Sequence, residues 1–383
     1  MRQTDTMELS KEELAILRLS LTDGIGPVTG RGLIERFGSA ERLYATSARE
    51  MQADHAFSSR LISALLRDSA PMRAVEEQLR HLAAEEAEGK PVRLVFAGSE
   101  SYPPALEACP DAPLVLYVKG QLPRKPPMIG VVGTRRNTPY ALDVLRHFIR
   151  VWADERPDLV IVSGLAYGVD AIGHRLALEC GLRTIGVVAH GLDTLYPSSH
   201  KVLAGKIIDS RGAVVTEFPY GTRALPQRFI ARNRIVAGLT LGLVVGESAA
   251  HGGALTTASF ALDYGRSVYA VPGRLFDPKS EGCNRLIAEN KAAIATDPHE
   301  ILEDLGLAAP TFQDRELPFA EEEDPDEDPI LRLLRKEEDL TIGDLSARTG
   351  DPISRLSAKL FTLEMEGVIR ALPGGRYALV RTR

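Results

Sequence analysis

Ile129-Gly-Val-Val-Gly133 decides the fold, because runs of the same kind recur five more times before residue 272. They are Leu159-Val-Ile-Val-Ser163, Thr184-Ile-Gly-Val-Val-Ala189, Ala213-Val-Val-Thr-Glu217, Leu241-Gly-Leu-Val-Val-Gly246 and Ser267-Val-Tyr-Ala-Val271. Each is short, β-branched and apolar on both faces, the pattern of a strand buried between two layers of helix. Amphipathic segments such as 140–153 and 169–180 lie between them. This alternation predicts an α/β class with a doubly wound, Rossmann-like parallel sheet.

Each run ends in small or polar residues: Gly133-Thr134-Arg135, Ser163-Gly164, His190-Gly191, Glu217, Gly246-Glu247 and Pro272-Gly273-Arg274. In an open α/β sheet these ends form the rim where ligands bind. Glycine lets backbone N–H groups come close, and a helix N-terminus favours an anion. Thr138-Pro139 reads as a cap followed by a first-turn proline. Gly252-Gly253-Ala-Leu-Thr256-Thr257 reads as a glycine loop opening a helix and a second anion cradle. The rim therefore suits a phosphate-bearing ligand.

Arg135 is expected to hold a phosphate; the competing reading pairs it with a neighbouring carboxylate. Ser163 and Gly164 are expected to add hydroxyl and backbone donors beside it, Ser163 also being suited to cap the next helix. Pro226-Gln-Arg228-Phe229-Ile-Ala-Arg232-Asn233-Arg234 is the stretch most like a nucleic-acid binder. A basic groove with one ring for base stacking is how single strands are held, and Phe229, Arg232 and Asn233 fall on one helical face. The alternative is a core phenylalanine among exposed arginines. Glu217 would orient Arg232 or Arg234. Asp170 and His174, four residues apart, make either an acid–base pair or a structural hydrogen bond. There is no complete G-x-G-x-x-G, no G-x-x-x-x-G-K-[ST] and no serine nucleophile elbow, which argues against a dinucleotide site, a P-loop and hydrolysis.

With 383 residues, 44% of them hydrophobic, the chain has enough core for two or three domains. The net charge of −6 disfavours a polyanion, but its distribution does not. Residues 301–329 carry −10, whereas 120–300 carry +5. No long apolar run implies a membrane span, and nothing at the N-terminus reads as a signal peptide. Cys109, Cys180 and Cys283 are odd in number and far apart, which fits a cytoplasmic protein without disulfides or a metal knuckle.

Four regions are expected: a helical module over 1–90, the α/β core over 91–305, an acidic linker over 306–329 and a small domain over 330–383. In the first, Gly24-Ile-Gly-Pro-Val-Thr-Gly30 resembles the hairpin of a helix–hairpin–helix, SAM-like fold, which either presents N–H groups to DNA or merely needs glycine for its turn. Residues 92–96 and 114–118 read as edge strands. The linker, with Glu321-Glu-Glu-Asp-Pro-Asp-Glu-Asp-Pro329, is expected to be disordered. The last region reads as a winged helix, with helices over 330–335, 341–349 and 353–366 and a hairpin across Pro373-Gly-Gly375. Its third helix, bearing Ser354, Arg355, Ser357 and Lys359, suits either a DNA groove or a protein partner.

An ordered set of segments resembles the DprA/Smf family of DNA-processing proteins. The segments are Tyr102-Pro-Pro-Ala-Leu106, Asp111-Ala-Pro-Leu-Val-Leu-Tyr117, Val132-Gly-Thr-Arg135, Ser163-Gly-Leu-Ala-Tyr-Gly-Val-Asp170, His190-Gly-Leu-Asp-Thr-Leu-Tyr-Pro197, Arg232-Asn-Arg-Ile-Val-Ala-Gly238, Gly253-Ala-Leu-Thr-Thr-Ala258 and Val271-Pro-Gly273. The resemblance implies a homodimer that binds single-stranded DNA and loads a RecA-type recombinase in natural transformation, with no catalysis, cofactor or metal. It implies DNA contacts from Gly133, Thr134, Arg135, Ser163, Gly164, Arg228, Phe229, Arg232, Asn233, Gly252, Gly253 and Thr256, with Phe229 stacking a base. The family usually has proline after that aromatic, whereas this chain has Ile230, so the helix start is left open. Two other readings stand beside it. The rim would bind and hydrolyse a nucleotide, with Glu247 acting on the sugar bond, or the winged helix would regulate duplex DNA.

Overall fold

The computed structural model describes residues 9–53, 58–66, 69–308, 328–336, 340–372 and 375–379. It divides into two compact units, 1–309 and 310–383. The acidic stretch falls almost wholly outside the described residues, as do Pro373 and Gly374 of the hairpin turn.

In the first unit a nine-stranded sheet comprises β1 Val92–Phe96, β2 Val115–Gly120, β3 Met128–Gly133, β4 Val160–Ser163, β5 Arg183–Val187, β6 Ala213–Thr216, β7 Gly242–Glu247, β8 Ser267–Ala270 and β9 Ala293–Ile294. The order is β1-β2-β6-β5-β4-β3-β7-β8-β9. Strands β6 through β9 in this order run parallel, whereas β1–β2 and β2–β6 are antiparallel. The six recurring runs are the six central parallel strands. The expectation of two edge strands near residues 92 and 114 is corrected for the second: β2 lies between β1 and β6, and β1 is the edge. The burial of Val115, Leu116, Tyr117 and Val118 fits an interior strand.

Apolar side chains from both sheet faces are buried. One cluster joins Val132, Val162, Val187 and Val245 to Ile235, Val236 and Ala258. On the opposite face Ile129, Val131 and Ile161 pack with Leu145, Phe148 and Trp152. At about 25 cal/mol per Å² of apolar surface, a fully buried Val or Ile is worth ~1.5–3 kcal/mol, so these clusters hold the rim in place.

The N-terminal helices Lys11–Ser20 and Pro27–Phe37 meet at an exposed turn in which Gly24 has φ +83°. Ser10 and Glu13 form a reciprocal capping box at the first helix. Leu17, Leu19, Leu33 and Leu43 share one cluster with Val92, Phe96 and Tyr117, so this module packs directly onto β1 and β2.

The second unit has helices Pro329–Lys336, Ile342–Thr349 and Ile353–Met365 and a three-stranded sheet, β10 Leu340–Thr341, β11 Ile369–Leu372 and β12 Arg376–Leu379, in the order β10-β12-β11. Ile330, Leu345, Leu356, Leu360 and Ile369 form its core. This is the winged-helix arrangement.

Candidate nucleic-acid interface

The rim is built on the carboxyl ends of β3, β4, β5 and β7. After β3 the chain makes a loop over residues 134–138 before the helix Pro139–Glu155. Thr138 caps that helix by accepting from the Ala141 N–H at 3.4 Å, and Pro139 sits in its first turn. The loop is fastened to the end of β7. Thr138 donates its N–H and its hydroxyl to the two Glu247 carboxylate oxygens at 2.8 and 2.7 Å, and the Thr134 N–H donates to the Glu247 carbonyl at 2.7 Å. Glu247 is buried. Its side chain shapes the loop, which leaves it badly placed to act on a sugar bond.

Gly168 holds the other flank with φ +74°; a Cβ there would lie 2.2 Å from the Thr134 carbonyl, so only glycine fits. Between these supports Arg135 and Arg136 are exposed. Among the described residues no carboxylate pairs with either, so the surface-pair reading of Arg135 finds no partner. The Arg135 guanidinium carbon instead lies 5.4 Å from the Phe229 ring centroid.

Phe229 comes from the helix Pro226–Leu239, which starts at Pro226 with no side-chain cap. Replacement of the family proline by Ile230 therefore does not delay the helix: proline appears four residues earlier, at the first helical position, where its missing N–H costs nothing. Phe229 is half-buried, and Tyr196 from the loop after β5 meets it edge-on at 5.7 Å and 64°. Tyr196 is itself placed by His190, whose Nε2 accepts the Tyr196 N–H at 3.1 Å while Nδ1 donates to the Gly191 carbonyl at 2.9 Å. Arg228, half-buried, donates to the Arg223 carbonyl at 2.6 Å and lies 5.8 Å from the Phe218 ring.

Asn233 donates to the Gly253 carbonyl at 3.3 Å and so joins this helix to Gly253–Asp263. Gly252 is the N-cap residue there, Gly253 is exposed and Thr256 is half-buried. No side chain caps the first turn, which leaves helix-terminal N–H groups for an anion.

Three expected contacts are corrected. The Ser163 hydroxyl is buried and donates to the Val131 carbonyl at 2.6 Å, and the Gly164 N–H donates to the Asp170 carboxylate at 3.1 Å. Neither donor is left for a ligand. Ser163 does not cap the following helix either, because that helix begins at Val169. The third, Arg232, is 4% exposed and donates to the Val187 carbonyl at 2.8 Å. Its guanidinium fills the space over Gly164, where a Cβ would lie 1.7 Å from Nη1. Burial lowers Arg232 to about 10 and raises the Asp170 carboxyl, and the attraction between the two opposes both shifts. The Asp170–His174 hydrogen bond is also absent. His174 uses Nδ1 on the Thr184 hydroxyl at 2.6 Å, and burial, with His200 and Arg232 adding like charge, pushes it down to about 3. Glu217 does orient an arginine, and it is Arg234, held also by the Asp111 carbonyl at 2.6 Å.

The interior thus fixes the rim, and the rim presents a cation and a ring. The anchoring role of Glu247 is not among the expectations from the sequence, which offered it only as the residue of the nucleotide-hydrolysing alternative. A capping threonine and a carboxylate at the ends of two strands are the signal for its anchoring role, once those strands are known to be neighbours.

Fold and rim define an α/β protein with an exposed arginine and a ring at its strand ends, carrying a helical hairpin module before it and a winged helix after it. The family described as DNA recombination-mediator protein A matches residues 93–306, a DprA-like N-terminal HHH domain matches 10–45 and a DprA winged helix domain matches 314–375. Protein Smf of Escherichia coli (strain K12) is 37% identical over 303 residues, covering 75% of this chain and 78% of that protein. DNA processing protein DprA of Streptococcus pneumoniae is 39% identical over 204 residues, covering 53% of this chain and 71% of that protein. The X-ray structure of DprA from Streptococcus pneumoniae superposes with a TM-score of 0.58 at 29% identity, over 78% of this chain and 99% of that one. The chain belongs to the DprA/Smf family. Among its described residues, no helix is long and apolar enough to cross a membrane, and no group of three His, Cys, Asp or Glu residues is placed to hold a metal ion.

Proposed function

We propose that this protein binds single-stranded DNA along the rim and passes it to a RecA-type recombinase during natural transformation. It would act in the cytoplasm as a homodimer joined through the α/β core, without making or breaking a covalent bond. The observation that carries the DNA-binding part is the Arg135 guanidinium, without a carboxylate partner among the described residues and set over the face of Phe229. An exposed arginine supplies a fork for phosphate, and a half-buried ring beside it supplies a platform for one base. Gly252, Gly253 and Thr256 would receive a further phosphate at the uncapped helix start, with Asn233 keeping that helix in register. Gly133 and Thr134 shape the loop; Ser163, Gly164 and Arg232 act as positioning residues beneath it. Recombinase loading and the dimer rest on family membership.

Against the nucleotide-hydrolase reading stands the engagement of both Glu247 carboxylate oxygens by Thr138. The test is a mobility assay with single-stranded and duplex oligonucleotides of the same sequence. The reading expects preference for the single strand and loss of that preference in Phe229→Ala. Equal affinity for both forms, unchanged by the substitution, would refute it.

A further inference from the structure

The loop after β8 carries the two most exposed large apolar side chains among the described residues, Leu275 at 84% and Phe276 at 96%. They occupy the two central positions of a tight turn closed by the Asp277 N–H on the Arg274 carbonyl at 3.1 Å. Such positions ordinarily take Gly, Pro, Asn, Asp or Ser. Among the described residues neither side chain is covered, so a Leu-Phe pair there does little for the fold.

The turn is held at its base. Asn284 accepts the Gly273 N–H and donates to the Gly273 carbonyl, both at 3.0 Å. Asp277 accepts the Lys279 N–H on its carboxylate at 2.9 Å and the Ser280 N–H on its carbonyl at 2.9 Å. A fixed support presenting an uncovered ring is what a binding platform needs.

Its place on the rim is also fixed. β8 lies next to β7, which lies next to β3, so the strand leading into the turn is about two strand spacings, ~10 Å, from the strand leading into the Arg135 loop. Tyr140, in the first turn of the helix that follows the Arg135 loop, donates to the Pro272 carbonyl at 2.9 Å and ties the two loops together. Arg274 is exposed, and among the described residues no carboxylate pairs with Arg274 or Lys279. The acidic groups nearby in sequence are Asp277, one of whose oxygens is taken by the Lys279 N–H, and Glu281 at the surface.

We propose that the tip formed by Arg274, Leu275 and Phe276 is a second contact site for single-stranded nucleic acid. Arg274 takes a backbone phosphate and Phe276 receives an unstacked base. The strand then runs from Phe229 past Arg135 along the ends of β3, β7 and β8. This rests on the reading of the rim given under Proposed function and adds the strand's path and the length of its footprint. The cations beside the ring and the continuity with the Arg135 loop favour a polyanion over a protein partner.

The experiment is fluorescence anisotropy on the full chain with two oligothymidylates, one of roughly 4 and one of roughly 16 nucleotides. Phe276→Ser and Arg274→Ala alter only exposed atoms, and unchanged thermal melts will show that both variants fold. The expected result is a loss on the order of 5- to 150-fold for the long strand in Phe276→Ser, a smaller loss in Arg274→Ala, and no change for the short strand in either. Arg135→Ala is expected to weaken both lengths. Wild-type affinity of the two tip variants for the long strand, while Arg135→Ala weakens it, would overturn the second site and leave the first intact. Loss of self-association in Phe276→Ser at unchanged long-strand affinity would overturn it in favour of a contact between copies of the chain. Indifference of both strands to Arg135→Ala would sink the underlying reading as well.

Discussion

Two surfaces of this protein carry the residue types of a DNA binder, and they differ in what their cations are already doing. On the core rim, Arg135 and Arg136 are exposed without a carboxylate partner among the described residues, and a ring lies under the first. On the third helix of the winged-helix unit, Arg355 faces Asp351 at 3.5 Å and Lys359 faces Asp328 at 2.8 Å. That helix exposes Ile353 at 54%, Phe361 at 64% and Met365 at 74%. A phosphate approaching the rim meets uncommitted charge; one approaching the helix must displace carboxylates and cover apolar surface. Counting basic residues does not separate the two surfaces, but their partners do.

The largest effect expected tests the cations that neither surface offers. Arg232→Met leaves the buried Asp170 carboxyl without the cation that attracts it, and a buried charge left uncompensated costs on the order of 3–5 kcal/mol. Urea unfolding should show that loss; an unchanged midpoint would mean that Arg232 is not the support of the rim. Next comes Phe229→Ala, which should cost ~1–3 kcal/mol of single-strand affinity, or roughly 5- to 150-fold, with no change in the unfolding midpoint of comparable size. A variant that unfolds as easily as it loses DNA would return Phe229 to the core.

His174 gives a pH-dependent effect that is small over any one pH unit. Its folded value of about 3 lies below the ordinary 6.5, so the unfolded chain takes up a proton that the folded chain refuses. The stability it contributes is present above pH 6.5 and is lost as pH falls from there toward 3, at up to about 1.4 kcal/mol per unit. Subtracting the profile of His174→Asn from that of the wild type should isolate this slope; parallel profiles would contradict it. Smallest of all, Arg355→Ala and Lys359→Ala should change single-strand affinity by about twofold or less, since exposed ion pairs contribute ~0–1 kcal/mol and their cations are already engaged. A tenfold loss would erase the contrast between the two surfaces.

Much of the fold was legible because buried parallel strands read as unbroken apolar runs, and six such runs gave the six central strands. The cap at Thr138, the proline at 139 and the glycine start at 253 were legible for the same local reasons. What stayed hidden were pairings between segments far apart in the chain. β2 looked like an edge because antiparallel neighbours leave no mark at its own position. β9 and β10, two residues each, are too short for any periodicity. On the helix from 226 to 239, Arg228 and Arg232 look alike in sequence. Only the packing of Gly164 beneath Nη1 shows that the second is an interior group. Ser163 and Gly164 look like free donors in the sequence because their acceptors, Val131 and Asp170, cannot be assigned without the sheet order and the helix start.

The central claim is that Arg135 gives an unpaired charge to a phosphate of a single strand. The most direct measurement is single-strand affinity of wild type and Arg135→Ala across a salt series. Loss of one phosphate contact should make the slope of log affinity against log salt shallower by about 0.7. An identical slope and identical affinity in the two proteins would contradict the account.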